Sequence, residues 1–288
     1  MFTVFGATGN TGSVVANLLL DKGKRVRAVV RDPKKAEALR ARGAELVTGD
    51  VTDRDTVVKA LAGAEGAYLL VPPDRASNDL VTYGRTVVDN YVAGLTQHKV
   101  PHAVMLSSVG AQVPSGTGLI VIAHYAETTL PKANSTKFTF VRAAYFMENL
   151  LANAYPIKHD GVLPVFGGGE GYPFSMVATR DIGDTAGAAL LAPPAQTEVI
   201  ELQGPQQYSM NDAAAAASKI VGRPVTTKVL PFDAVVPTLA QVGLSPNVAG
   251  LFREMLEAFA KGHAGWEAKG RSVTGKVPLA DVLRRGLA

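Results

Sequence analysis

Apolar and polar positions alternate in blocks along the first half of the chain. Short β-rich runs occur at "FTVFG", "RVRAVV", "AELVTGD", "EGAYLLV", "HAVMLSS" and "KFTFVRA". Each is separated from the next by a stretch of helical periodicity. In "NTGSVVANLLLDKG" the apolar residues Val14, Val15, Leu18 and Leu19 fall at i, i+1, i+4 and i+5, and Gly23 supplies a stop. Strands alternating with helices predict a parallel, doubly wound, Rossmann-like α/β sheet. The runs "GAYLLV" and "AVMLSS" are apolar throughout, as strands covered by helices on both faces should be.

The pattern changes near residue 150. "GVLPVFGGGEGYPFSMV" reads as two strands around a glycine-rich loop, "RDIGDTAGAALLAPP" as a helix and "TEVIELQGP" as a strand, with mostly helix after it. Residues 1–150 are therefore expected to form a Rossmann-like domain, and residues 151–288 a smaller α+β cap interleaved with the sheet. No internal repeat or low-complexity tract interrupts this.

Composition narrows the chemistry. A 47% hydrophobic, 19% charged chain of 288 residues can bury a sizeable core. The net charge of +4 is spread through mixed-sign segments such as "DPKKAEALRARGAE", which argues against nucleic-acid or membrane-surface partners. No cysteine is present, so disulfides, thiolate metal sites and cysteine nucleophiles are excluded, in keeping with a cytoplasmic setting. The five histidines lack metal-ligand spacing. The apolar N-terminal run is too short for a signal peptide, so the chain is expected to begin at or near Met1.

The segment "VFGATGNTG" carries the first chemical signal. A strand ending at Gly6 and handing over to a helix near Asn10 presents free first-turn N–H groups, with about half a unit of positive charge, to an anion above the sheet edge. Gly6 suits the tight turn, Gly9 a close approach of backbone to a diphosphate, and Gly12 close packing of helix on strand. Thr8, Asn10 and Thr11 complete the loop. After the second strand come Arg31, Asp32, Pro33, Lys34 and Lys35; a guanidinium flanked by lysines suits the 2′-phosphate of NADP, which Arg31 with Lys35 would grip. The alternative is a solvated helix start.

Ligands of such sheets sit beyond the carboxyl ends of the strands. That nominates Asp50 and Val51 after strand three, Val71 and Pro72 after strand four, Ser107 and Ser108 after strand five, and Ala143, Tyr145 and Phe146 after strand six. Asp50 suits the adenine amino group, or else caps the next helix as Thr52 or Asp53 would. Tyr145 and Phe146 offer an aromatic wall or simply core packing, and Arg142 and Asn149 would fix their loop through backbone hydrogen bonds. Phe166, Tyr172 and Phe174 would give the cap a flat apolar surface, unless the glycine-rich segment is only a hairpin loop.

The G-x-x-G-x-x-G spacing, with "VVRDPKKA", "VTGDVTD", "FVRAAYFMENLL" and the C-terminal "VTGKVPLADVL", resembles the NmrA-like group of atypical short-chain dehydrogenase/reductases over nearly the whole chain. That resemblance implies NADP(H) as cofactor and a small aromatic or quinone-like substrate, with the chain acting as a monomer or homodimer. The group includes quinone, azo-dye and triphenylmethane-dye reductases. It also includes regulators that sense NADP(H) without turnover. The wider superfamily transfers protons through a Tyr with Lys four residues later, yet no tyrosine here has Lys at that position; Tyr125 is followed by Thr129. An epimerase or dehydratase would need that base, whereas hydride transfer to an electron-poor acceptor does not. His124 and Tyr125 are the candidate catalytic residues, against the plainer reading of a satisfied structural histidine.

Overall fold

The fold was analysed in a computed structural model that describes residues 1–288. Six strands arise where the apolar runs predict them: β1 (Phe2–Phe5), β2 (Val26–Val30), β3 (Glu45–Thr48), β4 (Gly66–Leu69), β5 (His102–Ser108) and β6 (Lys137–Ala143). They pair in parallel in the order β3-β2-β1-β4-β5-β6. Two further parallel strands, Glu198–Gln203 and Arg271–Thr274, extend the sheet beyond β6 to eight. The sheet reverses direction of growth between β1 and β4, which opens a crevice at its carboxyl edge.

Side-chain alternation sorts the core into two layers. Val4, Tyr68, Val104 and Val141 face one way, onto α1 (Gly12–Asp21) and the helix Thr179–Leu191. Phe5, Leu69, Met105 and Phe140 face the other way, onto α3 (Arg54–Leu61) and α4 (Leu80–His98), with α5 (Val121–Thr129) joining through Ala126. The short helix α2 (Glu37–Ala41) sits between β2 and β3.

A separate core lies in the second half, where Met147, Leu163, Met176 and Tyr208 pack with the helices Met210–Val221 and Leu279–Leu287. The strands Val162–Phe166 and Phe174–Val177 form as expected, but the glycine-rich segment between them is not a hairpin. The first pairs with Thr226–Leu230, while the second pairs with Gln207–Tyr208 and Tyr145–Phe146. The helix Pro246–Ala260 leaves this core and packs its Val248 against Leu80 and Ile122, beside the β4 and β5 loops. No helix is long and apolar enough to cross a membrane.

Candidate active site at the carboxyl edge of the sheet

The turn after β1 has the geometry an anion site requires. Gly6 adopts φ +61°, a conformation that L side chains rarely take. The Gly9 N–H folds back to the Gly6 carbonyl at 2.9 Å. A Cβ on Gly12 would stand 2.3 Å from that same oxygen, so only glycine lets α1 rest on β1 this closely. No backbone carbonyl accepts from the N–H groups of Asn10, Thr11 or Gly12, which leaves donors open at the helix start. Thr8, Gly9 and Asn10 are exposed on the rim. Thr11 is buried, and its hydroxyl oxygen accepts from the Tyr68 phenol at 2.8 Å.

At the end of β2, Asp32 spends its carboxylate on its own turn by accepting the Lys34 N–H at 3.0 Å. Arg31, Lys34 and Lys35 are exposed, and none takes part in an ion pair. Uncommitted cations beside an amide-lined turn fit a ligand with two separated phosphate groups. Asp50 accepts from the Thr52 N–H and hydroxyl at 2.9 and 2.7 Å, and the helix cap itself falls to Asp53. Val51 is buried, with its carbonyl held by Asn90. Across from them, burial first and the Asp50 charge second push the Tyr83 phenol up to about 12, while the Arg31 guanidinium pulls it down. Asp50, Arg31 and Tyr83 therefore share one electrostatic neighbourhood.

The loop after β4 is anchored by the Tyr91 hydroxyl, which donates to the Leu70 carbonyl at 2.9 Å; Val71 and Pro72 are half-buried beyond it. After β5, Ser108 donates to the Val109 carbonyl, whereas Ser107 donates to Glu127 Oε1 at 2.6 Å. The Val109 N–H donates to the carbonyl of Ala143, tying this loop to the end of β6. Tyr145 and Phe146 are half-buried. The Tyr145 ring meets Phe174 edge to face at 5.7 Å, and burial pushes its phenol up to about 12. Phe146 packs on the first core layer. Tyr172 is 79% exposed and does not join this aromatic pair.

The two candidate catalytic residues, His124 and Tyr125, both lie on α5. Successive helix residues point about 100° apart, and these two side chains have different partners. His124 Nδ1 lies 2.9 Å from the Ala111 carbonyl, so it carries the proton and leaves Nε2 without a protein partner. Tyr125 donates to Asp89 Oδ1 on α4 at 2.8 Å, under the Arg85 guanidinium. Glu127, three residues on from His124, accepts from the Ser107 hydroxyl and from Arg142. Arg142 makes none of the backbone hydrogen bonds expected to fix its loop: it forms a forked ion pair with Glu127 at 2.6 and 2.9 Å and a second with Glu267 at 2.7 Å. Burial opposes its charge, but the two carboxylates prevail and hold it above its ordinary range. Glu127 and Glu267 escaped sequence reasoning. The available signal was an arginine inside the otherwise apolar strand "FTFVRA", since a buried cation requires a carboxylate.

Comparison with known proteins agrees with this architecture. The pattern of the NmrA-like family matches residues 1–268. The NAD(P)H azoreductase of Xenophilus azovorans is 30% identical over 263 residues, covering 88% of this chain and 86% of that protein. Quinone oxidoreductase 2 of Escherichia coli is 27% identical, covering 91% of this chain and 89% of that protein. The structure of an NADPH-dependent quinone oxidoreductase from Escherichia coli complexed with NADPH superposes with a TM-score of 0.81, at 24% identity and 99% coverage of both chains.

Proposed function

The chain belongs to the NmrA-like family, and from that premise we propose that it is an NADPH-dependent oxidoreductase that reduces a quinone or similar conjugated acceptor. The observation that carries this reading is the pairing of the open amide donors at the start of α1 with the uncommitted Arg31 and Lys35. A diphosphate fits the first, and the extra ribose phosphate that separates NADPH from NADH fits the second. Asp50 has Thr52 on Oδ1, leaving Oδ2 open for an amino group.

The bound cofactor supplies the hydride. The chain's own task is to orient the two reactants and deliver one proton to the acceptor oxygen. His124 suits that delivery, because the Ala111 carbonyl fixes its ring and turns Nε2 free. A protonated imidazole donates from Nε2 and is left as the neutral tautomer that Ala111 already favours. Tyr145 and Phe174 provide apolar surface for a flat acceptor. The cysteine-free sequence suits a cytoplasmic enzyme.

Following nicotinamide absorbance with a panel of quinones, azo dyes and triphenylmethane dyes tests the reading. Turnover with NADPH faster than with NADH supports it. Tight NADPH binding with no turnover on any acceptor makes the chain a sensor instead.

A further inference from the structure

Glu127 and Arg142 form an ion pair with side chains only 9% and 6% exposed, at the ligand end of β5 and β6. Such a pair is a poor device for stability alone, since the cost of stripping water from two charges rivals their attraction. Here all three guanidinium nitrogens and both Glu127 oxygens are used. Arg142 Nε and Nη2 fork onto the two Glu127 oxygens, and Nη1 takes Glu267. Glu127 Oε1 also accepts the hydrogen bond from the Ser107 hydroxyl.

Glu267 belongs to a strap, residues 263–268, that crosses the loop after β5. His263 lies 3.0 Å from the Ser115 carbonyl, and Gln112 donates to the Gly265 carbonyl at 2.8 Å. The strap is anchored by Ala268, whose N–H donates to the buried Glu201 from a left-handed φ of +57°. The same loop holds Ala111, the partner of His124. One connected network thus reaches from the strap through Arg142 and Glu127 to Ser107.

Resting on the reading of the chain as an NADPH-binding reductase, we propose that Glu127 and Arg142 are positioning residues: Glu127, held in place by Arg142, accepts the Ser107 hydroxyl hydrogen bond and so presents the Ser107 oxygen as an acceptor to the nicotinamide half of the cofactor. A hydroxyl has one proton to give. With its hydroxyl hydrogen directed at Glu127, Ser107 cannot donate to an oxyanion on the substrate, and only its lone pairs are left for a ligand. The amide N–H₂ of nicotinamide and the ribose hydroxyls are the donors available to them. The division of labour is definite: Ser107 accepts, and His124 donates.

The test is a cycle of variants read by calorimetric NADPH affinity and thermal melting rather than turnover. Ser107→Ala should weaken NADPH binding roughly 3- to 10-fold, the worth of one neutral hydrogen bond. Glu127→Gln should weaken it similarly and also lower the melting temperature, because Arg142 loses one of its two charge partners and keeps only Glu267. In the double variant the affinity should fall no further than in either single one, while the melting loss due to Glu127→Gln persists unchanged. Arg142→Lys, which keeps the charge and loses the fork, runs the same cycle if Glu127→Gln does not fold. Unaltered affinity in Ser107→Ala, or losses that multiply in the double variant, would overturn the proposal and leave the reductase reading standing. A wild-type protein that ignores NADPH overturns both.

Discussion

His124 and Tyr125 are neighbours in the chain but not in the site: the imidazole bonds the Ala111 carbonyl in the loop after β5, while the phenol bonds Asp89 on α4. The distinction is testable because both side chains can donate a proton. Tyr125→Phe should leave turnover within about twofold of wild type and cost at most ~1 kcal/mol for a lost exposed hydrogen bond. His124→Gln should lower the rate roughly 100-fold, the lower end of what a positioned acid contributes. Equal rate losses in the two variants would place the donor elsewhere.

The contrast shows what the sequence made legible. Six strands could be read because covered parallel strands are apolar runs, and the glycine turn because a left-handed φ favours glycine at Gly6 and backbone contact demands it at Gly12. The strand Arg271–Thr274 was hidden, since it is an edge strand with mostly exposed side chains and no apolar run. The pairings of Tyr145–Phe146 and Gln207–Tyr208 are two residues long, too short for any period. Glu267 lies 125 residues from Arg142, and nothing local marks a carboxylate in "WEAKG" as a buried cation's partner.

Two glycines of one turn should separate folding from binding. A Cβ on Gly12 meets the Gly6 oxygen at 2.3 Å, and its other close neighbours, the Gly6 carbonyl carbon and the Phe5 oxygen, are backbone atoms too. Gly12→Ala should cost about 3 kcal/mol and lower the melting temperature by roughly 6 °C or more. On Gly9, which is exposed, the nearest atom to a Cβ is that oxygen at 3.3 Å. Gly9→Ala should therefore melt within ~2 °C of wild type, yet bind NADPH at least tenfold more weakly because the methyl occupies the approach of the diphosphate. Melting curves and calorimetry on the two variants check both arms; a Gly9→Ala protein that binds normally would move the diphosphate off this turn.

Preference between the two dinucleotides should reside in Arg31. It is exposed and without an ion pair, so removing it disturbs little else. Arg31→Ala should weaken NADPH about 10- to 100-fold, the equivalent of one charged hydrogen-bond pair at ~1.5–3 kcal/mol, and leave NADH nearly unchanged. Dissociation constants for both cofactors decide it. A parallel loss for both would make Arg31 a general electrostatic contributor and shift the discrimination to Lys35.

Stability should carry its own pH signature, set far from the site. His102 is buried at the amino end of β5, its Nε2 3.2 Å from the Thr139 hydroxyl and its Nδ1 without a partner. Burial lowers its pKa to about 4, against an upward pull from Glu198. The folded state therefore binds this proton less readily than the unfolded chain, where an imidazole titrates near 6.5. Stability is full above about pH 6.5 and declines as pH falls from there toward 4, because only the unfolded chain takes up the proton. The loss by pH 5.5 is on the order of 1 kcal/mol, and Nδ1, lacking an acceptor, offers no bond to offset it. Replacing His102 with Gln should flatten denaturation midpoints between pH 7 and 5.5, while the wild-type midpoint drops. Parallel pH curves for the two proteins would mean that His102 contributes nothing to the acid limb.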